Sequence, residues 1–244
     1  MNEQLNGTNV ILVPILSDNY SYILEKNGDV AVIDPGQPEP IINELKNRDL
    51  TPSIILNTHH HSDHIAGNKA IMDQYGATLI APEKDFHRIP DIDISVKEGS
   101  PLTFSSEKIQ ILETPGHTNG HICYYLPESK IIFAGDLIFA MGCGRAFEGT
   151  PEELFNSLQK IKALPLETQI YCGHEYTLAN AEFCLSIEPD NVDLIARHKI
   201  VKQYRDNNLP TIPTTLEEEL KTNVFLRAEN ASTFADIRAK KDNF

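Results

Sequence analysis

The chain has 244 residues, of which 41% are hydrophobic, and a formal net charge of −14. This length and hydrophobic content predict a globular protein with a substantial core, in one large domain or in a domain with an appendage. The negative charge argues against broad binding to nucleic acids or to anionic membranes, because both depend on basic surfaces.

The sequence lacks any run of 18 apolar residues, and its first six residues lack the basic and apolar regions of a signal peptide. The four cysteines form no Cys-x-x-Cys pair, which is ordinary usage for a reducing compartment. We therefore predict a cytoplasmic protein with free thiols. We expect it to be a monomer with no nucleic-acid or membrane partner.

Short apolar runs bounded by Gly, Pro, Asn or Asp predict strands along the first part of the chain. The predicted strands cover residues 10–16, 20–24, 30–33, 54–56, 78–81, 109–113, 122–126, 131–134 and 169–172. Helical spacing predicts helices at 39–48, 64–75 and 151–164, the last with Thr150 as its N-cap. This alternation predicts a mixed α and β domain over residues 1–174.

After residue 174 the pattern becomes helical and poor in strands. Helical spacing covers residues 177–185 and 191–207, and Thr215 is placed to cap a further helix at 216–221. We predict a second, helical domain over residues 175–244.

The segment from Thr58 to His64 reads Thr-His-His-His-Ser-Asp-His, directly after an apolar run. A metal site explains this density better than packing does, because each buried imidazole would need its own hydrogen-bond partner. His59 and His61 are two residues apart, so an extended segment points both side chains the same way. Asp63 and His64 can turn toward a second position. The spacing predicts two metal ions.

Three further strand-like runs lead to a residue that can bind a metal. These residues are His117, Asp136 and His174, and a glycine comes directly before each of them. Such a glycine allows a tight turn or a close approach of the backbone. Together with the His-rich segment they offer five imidazoles, two carboxylates and no thiolate, which suits zinc, iron or manganese. We expect the groups to lie along one sheet edge.

Nearby polar residues are expected to have structural roles. In an extended chain His60 points away from the ligands on either side of it. His121 opens a strand and could hydrogen-bond a ligand, and Asp34 ends a strand, where a supporting or turn role is expected. Cys143 has no evident partner that would stabilise a thiolate, so we interpret it as a packing residue.

The motif Thr-His-x-His-x-Asp-His, with later Pro-Gly-His-Thr, Phe-Ala-Gly-Asp and Cys-Gly-His-Glu, resembles the metallo-β-lactamase superfamily. Segments 142–150, 173–177 and 237–244 resemble the glyoxalase II family, the hydroxyacylglutathione hydrolases. The resemblance spans nearly the whole chain. It implies an α/β fold, a four-layer αββα sandwich with a helical, substrate-binding carboxyl-terminal domain.

The resemblance also implies how the metal ligands are divided. The matching residues are His59, His61, His117 and Asp136 for the first metal, and Asp63, His64, His174 and Asp136 for the second. The implied catalytic residues are Asp136, the bridging ligand that positions a hydroxide, and Asp63. Two divalent ions are expected, with zinc as the first choice and iron or manganese as alternatives.

The implied substrate is S-D-lactoylglutathione, which a hydroxide shared by the two metals converts to D-lactate and glutathione, the second step of methylglyoxal detoxification. The residues that match the family's substrate contacts are Arg145, Phe147, His174, Tyr176, Arg238 and Lys241. Some family members have Lys and Tyr where this chain has Arg145 and Phe147, so a hydroxyl contact at position 147 is not available. Without the resemblance, the charged segment Arg-Ala-Lys-Lys at 238–241 would be interpreted as a solvated terminus.

Other interpretations stay open from the sequence. A mononuclear-iron persulfide dioxygenase, or another hydrolase of the superfamily, would keep much of the histidine motif. Some superfamily members cleave RNA, although the net charge of −14 opposes that role here. A non-catalytic binding module is the third alternative, and the presence of all the ligand-type residues disfavours it.

Overall fold

The computed structural model describes residues 7–244, which pack as two compact units. The first unit holds residues 7–113 and 120–135, and the second holds residues 114–119 and 136–244. The domain boundary after residue 174 stays a prediction.

The first unit is built on a mixed six-stranded sheet. Its strands, in pairing order, are β1 Thr8–Ile15, β2 Asn19–Lys26, β3 Asp29–Ile33, β4 Ile54–Leu56, β5 Thr78–Pro82 and β6 Ile94–Val96. Strands β1 to β3 are antiparallel, whereas β3 to β6 are parallel. Most residues of β3 and β4 are apolar and buried, as expected of parallel strands inside a sheet.

Helices cover the sheet of the first unit and form its main core. They are α1 Pro38–Asn47, α2 Ser62–Ile65 and α3 Asn68–Tyr75. Ile41 and Leu45 of α1 and Ile71 of α3 are fully buried. They belong to one apolar cluster with Val32 and Ile55 of the sheet. Burying a side chain of this size contributes about 1.5–3 kcal/mol.

The predicted single helix at 64–75 is wrong at its start, because the chain forms two helices there. Gly67 separates them, and its amide donates to the Pro35 carbonyl oxygen at 2.6 Å. A side chain at position 67 would place its Cβ 2.5 Å from that oxygen. The break puts Asp63 and His64 on the short helix α2, directly after the other two predicted ligands of the segment.

The remaining strands of the first unit follow α3. They are β7 Thr103–Phe104, β8 Glu107–Lys108, β9 Gln110–Glu113, β10 Ile122–Leu126 and β11 Ile131–Gly135. Strands β7 and β8 form a hairpin, and β10 pairs antiparallel with both β9 and β11. Tyr124 of β10 is fully buried, and its hydroxyl donates to the Asn57 carbonyl oxygen at 2.9 Å. This bond ties β10 to the chain just before the His-rich segment.

The second unit is mainly helical. Its elements are β12 Ile138–Phe139, β13 Gly142–Cys143, α4 Pro151–Lys162, β14 Gln169–Cys172, α5 Thr177–Ile187, α6 Val192–Asp206, β15 Thr214–Thr215, α7 Leu216–Thr222 and α8 Ala231–Asp242. Thr150 caps α4 as predicted and forms a capping box with Glu153. The helical character predicted after residue 174 is confirmed. Within residues 7–244, no helix combines the length and apolar character needed to cross a membrane.

A buried carboxylate, Glu219 of α7, fixes the turn between β12 and β13. One of its oxygens accepts from the Met141 amide at 2.8 Å and from Asn223 Nδ2 at 2.9 Å. The other accepts from Arg197 Nη2 and Thr214 Oγ1, each at 2.7 Å. Both oxygens are satisfied, which a charge with no solvent exposure requires. The network therefore holds the β12–β13 hairpin firmly against α7.

Candidate metal centre and adjoining cavity

The His-rich segment of the first unit begins where two parallel strands end side by side. Ile33 of β3 and Leu56 of β4 are paired in register. Asp34 and Thr58 therefore meet at the carboxyl edge of the sheet, where parallel sheets usually carry functional groups. The Asp34 carboxylate accepts from the Thr58 amide at 2.8 Å and from its hydroxyl at 2.7 Å. This clamp fixes the backbone from which His59 extends.

The predicted ligands of this segment form two pairs. His59 Nε2 lies 3.0 Å from His61 Nδ1. Asp63 Oδ2 lies 3.6 Å from His64 Nε2 and also accepts from Asn19 Nδ2 at 2.8 Å. The rings of His59 and His64 are buried, with centroids 4.2 Å apart. The segment therefore offers donors at two neighbouring positions.

Other polar groups fix the directions of two of these rings. His64 Nδ1 lies 3.1 Å from Asp34 Oδ2, and His59 Nδ1 lies 3.0 Å from Thr58 Oγ1. Metal-binding histidines usually have the ring nitrogen remote from the metal held in this way, because the contact sets the tautomer and aims the other nitrogen. The surroundings of these rings therefore fit a metal-binding role.

In the second unit, a carboxylate lies between two histidines. Asp136 Oδ2 is 3.4 Å from His117 Nε2 and 3.3 Å from His174 Nε2, and all three side chains are buried. His117 Nδ1 lies 2.9 Å from the Arg145 carbonyl oxygen, which directs its Nε2 toward Asp136. One carboxylate oxygen thus faces two imidazoles, as expected of a bridging ligand.

Two of the glycines that precede predicted ligands have a positive φ angle, which allows the tight turn that the sequence suggested. Gly116 has φ +136° and Gly135 has φ +47°. A Cβ at position 116 would lie 2.7 Å from the Leu154 Cα, and one at position 135 would lie 2.4 Å from Thr58 Oγ1. Both positions therefore need glycine for conformation and for space.

His60 and His121 lie among the predicted ligands but have other surroundings. His60 Nδ1 is 3.5 Å from Asp85 Oδ2, and its Nε2 is 3.4 Å from Arg88 Nη1. These contacts agree with the structural role predicted for His60. The His121 ring packs beside His59 with centroids 5.1 Å apart. A hydrogen bond from His121 to a ligand stays a prediction.

Five of the six predicted substrate contacts line one cavity of the second unit. The cavity has a volume of about 430 Å³ and reaches His117 and Asp136. The predicted contacts in its wall are Arg145, Phe147, Tyr176, Arg238 and Lys241. The sixth, His174, stacks against Tyr176 with centroids 4.7 Å apart and planes at 10°. The cavity therefore connects a cationic region with two of the predicted ligands.

The cationic region is held in place by α8 and its neighbours. Arg238 is only 6% exposed and donates through Nη1 to the Cys143 carbonyl oxygen at 3.1 Å and through Nη2 to Asp242 at 2.9 Å. Lys241 Nζ donates to the Ala179 carbonyl oxygen at 3.0 Å. Burial lowers the pKa of Lys241, and the charge of Arg238 lowers it further. An anionic ligand here would relieve this repulsion between cations.

The expectation that Cys143 lacks a cationic partner needs correction. Arg238 Nη1 lies 3.8 Å from its Sγ. Burial nevertheless raises the pKa of the Cys143 thiol to about 11, because desolvation outweighs the attraction of Arg238. Cys143 is therefore a protonated thiol at neutral pH, which agrees with its interpretation as a packing residue.

Aromatic rings form the rest of the cavity wall. Phe147 is 62% exposed, and its ring centroid lies 5.2 Å from that of His117. Sequence reasoning missed Phe139, which meets Tyr176 edge to face at 5.2 Å and His174 at 5.9 Å. Its position in an apolar run gave no signal of a role beside the cavity. Position 147 thus contributes an apolar ring to the cavity wall.

Comparisons with known proteins agree with this geometry. A family model described as "Metallo-beta-lactamase superfamily" matches residues 16–174, and one described as "Hydroxyacylglutathione hydrolase C-terminus" matches residues 175–244. A hydroxyacylglutathione hydrolase from Pelagibacter ubique (strain HTCC1062) is 45% identical over 235 residues, which cover 96% of this chain and 98% of the relative. The chain belongs to the hydroxyacylglutathione hydrolase family.

Solved structures give the same fold. The BLEG-1 B3 metallo-β-lactamase has a TM-score of 0.70 at 24% identity, over 89% of this chain and 99% of that chain. TTHA1623, solved in a di-iron-bound form, has a TM-score of 0.64 at 25% identity, over 87% and 98%. The predicted α/β fold with a helical carboxyl-terminal part is confirmed. In this hydroxyacylglutathione hydrolase family member, the metallo-β-lactamase fold and the His and Asp donors support a centre for two divalent metal ions.

Because Asp34 holds both His64 and the turn at Thr58, Asp34→Asn is expected to weaken metal binding about 10- to 100-fold. Asparagine tolerates the left-handed conformation of this position, where φ is +49°, so the backbone is spared. Titration against a competing chelator measures the affinity. Asp49→Asn is the matched control, because Asp49 is also left-handed, with φ +56°, and is exposed. Equal affinities for the two variants would contradict the supporting role.

Proposed function

We propose that this member of the hydroxyacylglutathione hydrolase family hydrolyses the thioester of S-D-lactoylglutathione to D-lactate and glutathione. The observation that carries this proposal is the 45% identity to the Pelagibacter ubique hydroxyacylglutathione hydrolase over nearly the full length of both chains. The cavity is consistent with it, because Arg145, Arg238 and Lys241 line it together with the buried ligands His117 and Asp136. Such a cavity suits a substrate that carries carboxylates at a distance from its reacting carbonyl.

We further propose how the two metal ions are held. The proposed donor sets are His59, His61, His117 and Asp136 for one ion, and Asp63, His64 and His174, with Asp136 shared, for the other. Bound divalent ions at such a centre lower the pKa of water and polarise a carbonyl. Nitrogen and oxygen donors suit zinc, which is our proposed metal, and they also suit iron or manganese. Which of these metals occupies the site depends on their availability.

The residues of the chain have distinct proposed roles in this reaction. The carboxylates of Asp136 and Asp63 are the proposed catalytic ligands, and the Asp136 oxygen between two imidazoles supports its bridging position. Arg238 and Lys241 bind the carboxylates of the glutathione part, and Arg145 and Tyr176 add contacts. The oxygen of a water that has lost one proton to solvent bonds to the thioester carbon, the carbon–sulfur bond breaks, and sulfur leaves as a thiolate, which takes up the proton of the new carboxylic acid. Because a thiol has a pKa of about 8.5, departure needs no dedicated acid residue.

The direct test is hydrolysis of S-D-lactoylglutathione by the purified protein, followed spectrophotometrically, with elemental analysis of the same preparation. We expect turnover that stops with a chelator, returns when metal is added, and proceeds equally without oxygen. Turnover of a glutathione persulfide that requires oxygen, with no hydrolysis of the thioester, would instead establish a dioxygenase. RNA cleavage at physiological salt without thioesterase activity would also contradict the proposal.

The remaining expectations concern the setting of the enzyme. We propose that it acts as a monomer in the cytoplasm and binds neither nucleic acid nor membrane, which the net charge of −14 supports. Light scattering on the purified protein tests the monomer, and fractionation of cells that produce it tests the location.

Loss of Arg238 is expected to affect binding more than chemistry. Arg238→Ala should raise KM for the glutathione thioester about 10- to 100-fold with metal content intact, since it removes charged hydrogen bonds remote from the reacting carbonyl. Arg238 is buried, so Arg238→Met, which keeps most of the volume, separates lost binding from a packing defect. Lys240→Met, an exposed position on the same helix, is the control. An unchanged KM in both Arg238 variants would remove this residue from the substrate site.

A further inference from the structure

We propose that Asp242 is a positioning residue that holds the guanidinium group of Arg145 beside that of Arg238 for the carboxylates of the substrate. The inference rests on the proposed function, because it assigns a role within the same cavity. Asp242 lies at the end of α8, one turn after Arg238, and it does not itself line the cavity. It therefore acts through the two arginines rather than by touching substrate.

A single carboxylate oxygen joins the two arginines. Asp242 Oδ1 accepts a hydrogen bond from Arg238 Nη2 at 2.9 Å, and the same oxygen lies 3.3 Å from Arg145 Nε. Hydrogen bonds between charged groups at this distance are stronger and more directional than those between neutral groups. The carboxylate thus sets the spacing between two cations that reach the cavity from different parts of the second unit.

The two arginines depend on Asp242 to different degrees. Arg238 is 6% exposed, bonds also to the Cys143 carbonyl oxygen, and packs over the Phe225 ring at 5.1 Å. The Arg145 side chain is 59% exposed, and Asp242 is the ion-pair partner that the structure of residues 7–244 shows for it. Removing the carboxylate should therefore release Arg145 while leaving Arg238 largely in place.

Electrostatics explains why a fixed carboxylate is needed at this point. After burial, the charge of Arg238 and, more weakly, that of Arg145 lower the pKa of Lys241, while Glu182 raises it, so both arginines repel Lys241. Without Asp242, Arg145 is free to lower this repulsion by turning into solvent. Each guanidinium has five N–H donors, so the bonds to Asp242 leave donors for a second carboxylate. Asp242 therefore keeps Arg145 close to the other cations without using all of the N–H donors that a substrate carboxylate would need.

The first test is Asp242→Asn in the metal-loaded enzyme. We expect KM for S-D-lactoylglutathione to rise about three- to fivefold, more than kcat falls, in line with partly exposed ion pairs. KM for the lactoyl thioester of N-acetylcysteamine, which has no carboxylate, should stay unchanged. Asp236→Asn, the same substitution at an exposed position on α8, is the matched control. A merely structural role would lower kcat for both thioesters and would not separate them.

A second test asks whether Asp242 acts through Arg145. Asp242→Asn should have a clearly smaller effect on KM in an Arg145→Ala background than in the wild type. The ¹⁵Nε resonance of Arg145 should also move toward that of a solvated arginine in Asp242→Asn, and this readout needs no activity. An unchanged Arg145 resonance, additive effects, or a lower KM in Asp242→Asn would each overturn the proposal. Absence of thioester hydrolysis by the wild type would instead contradict the proposed function, with the resonance still testing the positioning.

Discussion

Replacement of Asp136 is expected to lower bound metal and kcat together. Its Oδ2 lies within 3.4 Å of both His117 Nε2 and His174 Nε2, so we expect this one carboxylate to serve both proposed ions. Asp136→Ala removes the donor, and Asp136→Asn keeps its shape but removes the negative charge that stabilises two cations. Since even supporting residues of metal sites contribute 10- to 100-fold, we expect kcat to fall by more than about 100-fold. Steady-state kinetics and elemental analysis on the same preparations measure both quantities.

The control for this prediction must also remove one carboxylate charge, at a position away from the proposed metal ligands. Asp190→Asn, at an exposed position between α5 and α6, should keep full metal and full kcat. Circular dichroism of each variant separates loss of metal from loss of fold. A folded Asp136→Asn protein with wild-type metal content and wild-type kcat would show that Asp136 does not bridge the ions.

The sequence predicted the fold well where strands end in polar residues. The apolar triplet Ile54–Leu56 could only be a short buried strand, and the parallel partner β3 then brings Asp34 beside Thr58. The same pattern placed Asp136 directly after β11. Such sites are predictable because the pattern of apolar residues identifies the strand and the residue at which it ends. The residue that follows must then lie at the edge of the sheet where the strand ends.

The sequence could not predict interactions that depend on packing between distant segments. The predicted helix at 64–75 failed because only the approach of Pro35 makes Gly67 a break and not a tolerated helical glycine. Sequence reasoning assigns no role to Asp242, although its spacing of four from Arg238 is a usable signal. The contact with Arg145 carried no local signal, because it joins α8 to a loop after β13.

A buried ion pair gives the largest expected effect on stability. Lys26 at the end of β2 and Glu107 of β8 are 7% and 1% exposed, and their charged atoms lie 2.5 Å apart. Ser129 donates to both Glu107 oxygens, through its amide at 2.8 Å and its hydroxyl at 2.6 Å. Lys26→Met would leave the Glu107 charge buried with its partner removed. We expect the free energy of unfolding to fall by about 3–5 kcal/mol, measured by denaturant titration at fixed metal concentration.

The double variant Lys26→Met/Glu107→Gln tests the cause. The oxygen of a neutral amide still accepts from one of the two Ser129 donors, and the side chain needs no counter-charge, so the double variant should recover most of the loss. Lys69→Met, at an exposed pair with Asp73, should change the free energy of unfolding far less. If Lys26→Met were as mild as Lys69→Met, the buried pair would not stabilise the first unit.

The same pair predicts a pH dependence of stability. Burial alone would raise the pKa of Glu107, but hydrogen bonds from Lys26 and Ser129 outweigh it and hold the pKa below its usual value. A carboxyl group with a depressed pKa in the folded state binds its proton more readily when unfolded. Its contribution is therefore complete above about pH 4.3, the pKa of an unperturbed glutamate, and is lost as the pH falls through the folded value. The wild type should lose stability more steeply than Glu107→Gln below that pH, and parallel curves for the two proteins would contradict the assignment.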